Sequence, residues 1–156
     1  MEYFTKEEKI DDKIIRVKIW DTAGQEKFKS LTRNFYKNSQ GVLICYDVTN
    51  RLSFQNIETW VNSVKDNSSS NIKMVLVGNK IDLNREVSTE EGKNLADLNH
   101  IPFFETSAKT NIGINECFIK LITDIVIDFN NFEEGVNLDN KNKNENNNNK
   151  YNRCNC

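Results

Sequence analysis

Two continuous apolar runs, "GVLICYDV" at residues 41–48 and "IKMVLVG" at residues 72–78, constrain the fold of this chain most strongly. Neither alternates apolar with polar residues, and each ends in turn-forming residues. A strand that is apolar on both sides needs cover on both faces, which is the setting of a parallel sheet. Residues 101–107, "IPFFETS", form a shorter third run of this kind. Helical patterns lie between and after the runs. Phe54, Ile57, Trp60, Val61 and Val64 fall on one helical face, and Ile114, Cys117, Phe118, Leu121, Ile122, Ile125, Val126 and Phe129 make a longer stripe. Residues 89–98 read as a further helix, with Ser88 as N-cap and Glu91 completing a capping box. Buried strands alternating with amphipathic helices predict an α/β fold, its sheet covered on both faces. The apolar stripes themselves read as core and carry no functional weight.

Upstream, "KIIRVKIW" at residues 13–20 sets Ile15, Val17 and Ile19 against Arg16 and Lys18, the period-2 signature of a half-buried strand. Residues 2–9 are a weaker hairpin partner, with Asp11-Asp12-Lys13 as the turn. Composition changes near residue 130: ten of the twenty residues from Asn137 to Cys156 are Asn. Such a segment buries too little apolar surface to offset the entropy of ordering it. The expected organisation is one folded domain over residues 1–130 and a disordered tail over 131–156. A net charge of -2 argues against a whole-surface nucleic-acid or membrane binder. No window reaches the roughly 20 apolar residues of a membrane-spanning helix, and the N-terminus is charged rather than signal-like. Cys45 and Cys117 lie in apolar runs and are expected to be buried thiols, while Cys154 and Cys156 stand at the end. That pattern is no disulfide framework and suits a reducing cytosolic setting.

Ligands of open α/β sheets bind at the carboxyl ends of the strands. Three polar motifs each follow a strand here: "DTAGQE" after residues 13–20, "NKID" at residues 79–82 and "TSAK" at residues 106–109. Singly, an Asp-x-x-Gly is a turn and an Asn-Lys-x-Asp a solvated loop. Together, in this order at strand ends, they point to one site. Trp20 before the Asp, "FKSLTRNFYKNSQG" at residues 28–41 and "YDVT" at residues 46–49 add to the pattern. Over residues 2–129 the chain resembles a small GTPase of the Ras superfamily, and specifically the Rab family.

The resemblance implies a three-layer, P-loop-NTPase-like, mostly parallel sheet and a GTP/GDP switch with Mg²⁺ that serves vesicle-mediated transport. Asp82 would accept two hydrogen bonds from the guanine N1–H and exocyclic amine, a donor pair that adenine lacks; such a difference discriminates on the order of 10⁴-fold. Asn79 would tie the base to the neighbouring loop, and the Lys80 stem would lie along the purine face. Ser107, Ala108 and Lys109 resemble the loop whose backbone amide donates to guanine O6. Asp21 resembles the acid that holds Mg²⁺ through water, Gly24 the backbone donor to the γ-phosphate, and Gln25 the residue that orients the attacking water. Tyr3, Trp20 and Phe35 fall where the family places an aromatic cluster read by effectors.

A P-loop, G-x-x-x-x-G-K-[ST], is the other half of such a site. The six glycines stand at 24, 41, 78, 92, 113 and 135, no two of them five apart. The family places a first strand, the P-loop, a helix and a Thr-bearing switch ahead of the residues that match Met1-Glu2-Tyr3-Phe4. The expectation is therefore an N-terminally truncated domain. The strand in question lies between those matching 13–20 and 41–48, so both should carry open edges unless they pair directly. Each unpaired buried backbone group costs about 1–3 kcal/mol against a total stability of roughly 5–15 kcal/mol. Very weak GTP binding and negligible hydrolysis are expected of the chain by itself.

The terminal "RCNC" has the Cys-x-Cys form that the resemblance associates with two geranylgeranyl groups, on Cys154 and Cys156. Two prenyl chains anchor stably where one does not. Lys141, Lys143, Lys150 and Arg153 outnumber Asp139 and Glu145 and favour anionic lipid. The implied partners are effectors, exchange and GTPase-activating proteins, a prenylation escort or GDI-type chaperone, and a membrane surface, with no nucleic acid. The implied form is a monomer of the cytosol and the cytoplasmic face of intracellular membranes. Two other readings stay open: a non-catalytic Rab-like protein that competes for effectors or the prenylation machinery, and a truncated or degenerate gene product.

Overall fold

The computed structural model describes residues 3–10, 12–22, 35–69 and 71–130. Its elements in chain order are β1 (Tyr3–Ile10), β2 (Lys13–Trp20), β3 (Gly41–Asp47), α1 (Arg51–Gln55), α2 (Ile57–Asn67), β4 (Lys73–Asn79), α3 (Thr89–Asn99) and β5 (Phe103–Thr106). Residues 114–130 form a last helix, α4. β1 and β2 make an antiparallel hairpin with Tyr3 opposite Trp20 and Ile10 opposite Lys13. Its alternation is the expected one, with Ile15, Val17 and Ile19 turned to the half-buried side. β3, β4 and β5 make a separate parallel sheet in that order. Among the described residues β2 and β3 are not hydrogen-bonded neighbours. The sheet is thus divided at the junction where the resemblance puts a further strand.

The core lies between the three-stranded sheet and its helices. Ile44, Tyr46 and Val48 pack with Ile57, Val61 and Val64 of α2, Leu76 of β4, Val87 and Ala96. The run at residues 54–64 is not one helix. Asn50 caps α1 by accepting from the Ser53 amide, and Asn56 separates α1 from α2. The buried positions of α2 are Ile57, Val61 and Val64, spaced four and three apart as one helical face requires. α3 carries the expected capping box, in which Ser88 Oγ accepts from the Glu91 amide and the Glu91 carboxylate accepts from the Ser88 amide. His100 closes α3 in the left-handed region, its amide donating to Ala96 and Asp97.

Two sequence expectations need correction. Cys45 is exposed, not buried, while Cys117 is buried. β3 borders its sheet, so among the described residues no further strand flanks it on one side. Ile44 and Tyr46 fill one face while Cys45 points to the other. Solvent reaches the Cys45 side chain, yet the atoms packed around it exclude enough water to push the thiol up to about 11, with Cys117 adding to the effect. Phe129, placed on the buried stripe of α4 by its spacing, is also exposed. The chain divides into a unit over Met1–Thr123 and a second over Asp124–Cys156. The stripe residues Cys117, Leu121 and Ile122 are buried within the first, whereas Phe129 falls in the second. No described helix is long and apolar enough to cross a membrane.

Tyr46 is 2% exposed, and its hydroxyl has no hydrogen-bond partner among the described residues. Burial, then the nearby Glu105, push this phenol up to about 12. Gly78 and Gly92 make room for it, since a Cβ would stand 2.8 Å and 2.3 Å from the hydroxyl oxygen. A buried polar group left unpaired costs about 1–3 kcal/mol. Tyr46→Phe is therefore expected to stabilise the protein by about 1 kcal/mol in urea denaturation.

Glu91 also serves tertiary structure. Its carboxylate pairs with Arg51 at the start of α1, and that arginine with the Ser88 cap holds it down at about 2. A carboxyl depressed by folding adds stability above its unfolded pKa, near 4.5, and loses it as pH falls toward 2. Glu91→Gln is expected to flatten the loss of stability between those two pH values, measured by urea denaturation at stepped pH.

Candidate functional site

Strand register builds the site. Asp47 lies opposite Asn79 in the β3–β4 pair, and Asn79 opposite Thr106 in the β4–β5 pair. Three polar residues therefore stand side by side at the carboxyl ends of three parallel strands, where neighbouring backbones are about 4.8 Å apart.

The Asn79 side chain bridges two segments. Its Oδ1 accepts from Thr106 Oγ1 at 3.1 Å and from the Ala108 amide at 3.1 Å. Both contacts are donors, which makes the facing atom the oxygen and leaves the NH₂ for other partners. The Asn79 carbonyl accepts from the Val48 amide at 2.9 Å. Thr106 is 1% exposed and its carbonyl accepts from the Ile81 amide at 3.2 Å. The two loops after β4 and β5 are in this way tied to each other.

Ser107 orients Asp82. It is fully buried, and its amide and carbonyl pair with Ile112 at 3.0 and 3.2 Å. Its hydroxyl accepts from the Thr110 amide at 3.1 Å and donates to Asp82 Oδ1 at 2.6 Å. The hydrogen bond from Ser107, aided by Lys109 and Lys80, keeps Asp82 below the usual carboxylate range against the desolvation that opposes it. Asp82 is thus held ionised, an acceptor-only group suited to a ligand with two adjacent N–H donors.

Lys80 adopts φ 69°, the left-handed region, which is uncommon for a residue with a side chain. Its carbonyl accepts from the Leu83 amide at 3.0 Å, and its ammonium meets Asp47 Oδ2 at 2.6 Å. Asp47 Oδ1 accepts from the Thr49 amide at 2.8 Å and Thr49 Oγ1 at 2.7 Å. Burial alone raises the Asp47 carboxyl, but the bonds from Lys80 and Thr49 outweigh it and hold the group low. The end of the loop is pinned as well: the amides of Glu86 and Val87 both donate to the Val48 carbonyl, at 2.8 and 3.0 Å.

Asn79, Lys80, Asp82, Ser107 and Ala108 are therefore gathered on two interlocked loops, with Lys109 exposed beside them. Asp21 lies just past β2 and is exposed. Mg²⁺ keeps several waters and takes one or two carboxylates besides phosphate oxygens. Asp21 offers one exposed carboxylate of this kind. Gly24, Gln25, Cys154 and Cys156 lie outside the described residues. Asp47 and Thr106 escaped the list of site residues drawn from sequence, although both stand inside quoted motifs. The signal available was the polar residue at the last position of each strand.

The three aromatic residues also come together. Tyr3 and Trp20 rings are 5.1 Å apart, and Trp20 and Phe35 rings 5.3 Å apart. Lys18 Nζ sits 4.0 Å from the Tyr3 ring and 4.6 Å from the Trp20 ring. Tyr3 is 54% and Trp20 39% exposed, so the cluster is an accessible surface.

A family model described as the Ras family matches residues 1–127. The chain is 45% identical over 119 residues to Ras-related protein RAB1BV of Beta vulgaris, covering 74% of this chain and 55% of that protein. It is 42% identical over 120 residues to Ras-related protein Rab-13 of Rattus norvegicus, covering 76% and 59%. With GTP-binding protein ypt2 of Schizosaccharomyces pombe it shares 42% identity over 140 residues, covering 84% and 70%. The alignments to the first two relatives span a little over half of those proteins. The strand-end motifs, the register that assembles them and these similarities agree: the chain belongs to the Ras family, in its Rab branch.

Proposed function

We propose that this chain reads guanine as part of a GTP/GDP switch in vesicle-mediated transport. The observation that carries the proposal is the Ser107–Asp82 hydrogen bond beside the Asn79–Ala108 bridge. Together they hold one ionised carboxylate, and one carboxamide NH₂ that the bridge leaves unused, at the same strand ends. The similarity to a relative named as GTP-binding supports it. In this reading Asn79 and Asp82 bind the base, Lys80 covers it, and the backbone at Ser107, Ala108 and Lys109 meets its carbonyl. Asp21 holds Mg²⁺ through water, Gly24 meets the γ-phosphate and Gln25 orients the attacking water. Tyr3, Trp20 and Phe35 face effectors. Exchange and GTPase-activating proteins act on the switch, and prenyl groups on Cys154 and Cys156 anchor it to the cytoplasmic face of membranes until a GDI-type chaperone extracts it.

The 156 residues contain no G-x-x-x-x-G-K-[ST], so the grip on phosphate is weak and turnover negligible in the chain by itself. Calorimetric titration of the purified protein with GTP, GDP and ADP in Mg²⁺ tests both parts. The expected result is GDP binding weaker than micromolar, ADP weaker still, and no phosphate release. Sub-micromolar, Mg²⁺-dependent GTP affinity overturns the weak-grip part, and equal GDP and ADP affinities overturn guanine recognition. A second reading, a non-catalytic protein that engages effectors whatever its nucleotide, is favoured by the assembled, exposed aromatic cluster. Effector capture that is unchanged by GDP or GTP selects it.

A further inference from the structure

We infer that Asp47 is a positioning residue that fixes Lys80 beside the base, an inference that rests on the guanine-reading function proposed above. Lys80 follows Asn79 directly, but its side chain is 52% exposed. A lysine stem has large rotamer freedom, so backbone placement alone does not decide where the ammonium lies. Asp47 supplies the decision from a different strand. Register puts it opposite Asn79, and its side chain is only 22% exposed. Its two oxygens are divided between two tasks. Oδ1 accepts from the Thr49 amide and hydroxyl, which locks the carboxylate plane. Oδ2 meets the Lys80 ammonium at 2.6 Å.

The anchor is itself braced from behind. The Asp47 amide donates to Ser53 Oγ at 3.0 Å, and Ser53 Oγ donates on to the Asn50 carbonyl at 2.7 Å. The turn after β3 is therefore held by hydrogen bonds that do not involve Lys80. An ammonium held at one end leaves the four-carbon stem stretched between the Lys80 backbone and Asp47. That stem is apolar surface for one face of a planar base. Because it contacts the ring face and not its edge, it serves any purine, whereas Asp82 distinguishes guanine by its edge donors.

Asp47→Asn separates the two tasks. The amide oxygen still accepts from Thr49, so the turn and the fold are kept, while the nitrogen offers Lys80 no charge partner. The first readout needs no nucleotide. In NMR spectra of the full chain the two Lys80 ε-methylene protons are expected to be distinct in the wild type and averaged in Asp47→Asn. Identical Lys80 signals in both proteins overturn the proposal. The second readout is affinity for GDP and inosine diphosphate by ligand-observed NMR. Asp47→Asn is expected to lower both about threefold to tenfold, with their ratio unchanged. It is also expected to have no further effect in a Lys80→Ala background. A selective loss of GDP over inosine diphosphate, or full additivity with Lys80→Ala, means that Asp47 merely supports the loop and overturns the proposal. Failure of the wild type to prefer GDP over ADP overturns guanine recognition instead, and the Lys80 signals then decide Asp47 alone.

Discussion

Asp82→Ala is expected to bring GDP affinity down to that of ADP, removing in this weakly binding chain a preference of about tenfold to a hundredfold, the roughly 1.5–3 kcal/mol of hydrogen bonding to a charged group. Asp82 is ionised and oriented before any ligand arrives, because the Ser107 hydroxyl takes one side of Oδ1 and the Thr110 amide fixes that hydroxyl. The remaining lone pairs form two parallel acceptors. Adenine offers no matching donor pair, so its nucleotides lose nothing when the carboxylate goes. The loss is therefore expected in the GDP-to-ADP ratio, with ADP affinity unchanged, and parallel titrations measure it. An equal fall for both nucleotides means that Asp82 supports the loop and does not read the base. The fold is expected to survive the substitution, since the Ser107 backbone keeps its pairing with Ile112.

Gly113→Ala is expected to destabilise the protein by about 3 kcal/mol, the largest stability effect of any substitution considered. Gly113 has φ 71°, and a Cβ built there stands 2.3 Å from the Glu105 carbonyl oxygen. The left-handed backbone costs an alanine roughly 1 kcal/mol, and a backbone oxygen cannot rotate away as a side chain does. Something in β5 or at the start of α4 has to move. Gly113 also accepts the amide of Cys117 in the first turn of α4 and follows Ile112, the residue paired with Ser107. The strain is therefore delivered to the loop that orients Asp82, and guanine preference should fall along with the denaturation midpoint. A midpoint unchanged in urea removes this account of Gly113.

Much of the fold was legible because its signals are local. The runs at 41–48 and 72–78 became β3 and β4 within a residue of their expected ends, since neither pattern fits a helix. Ser88 and Glu91 identified the start of α3 because a capping box is satisfied within four residues. Cys45 was misplaced because its exposure depends on what lies beside β3, and a strand's own sequence does not report its neighbour. The boundary at Asn56 leaves no mark in the apolar spacing, because Asn56 itself keeps right-handed helical dihedrals and its amide still donates to Leu52.

The sequence by itself determined which residue types stand at the end of each strand, and with them the motifs from Asp21 to Lys109 that mark the Rab branch. Motif order along the chain carries that information without any folding. Only the tertiary structure decided how those residues act on one another. Parallel pairing aligned Asp47, Asn79 and Thr106, residues separated by dozens of positions in the chain, and so gave Lys80 its anchor and Asn79 its orientation. The reason is physical. Hydrogen-bond register between strands is a property of the pair, set when both are packed, and neither strand encodes it alone.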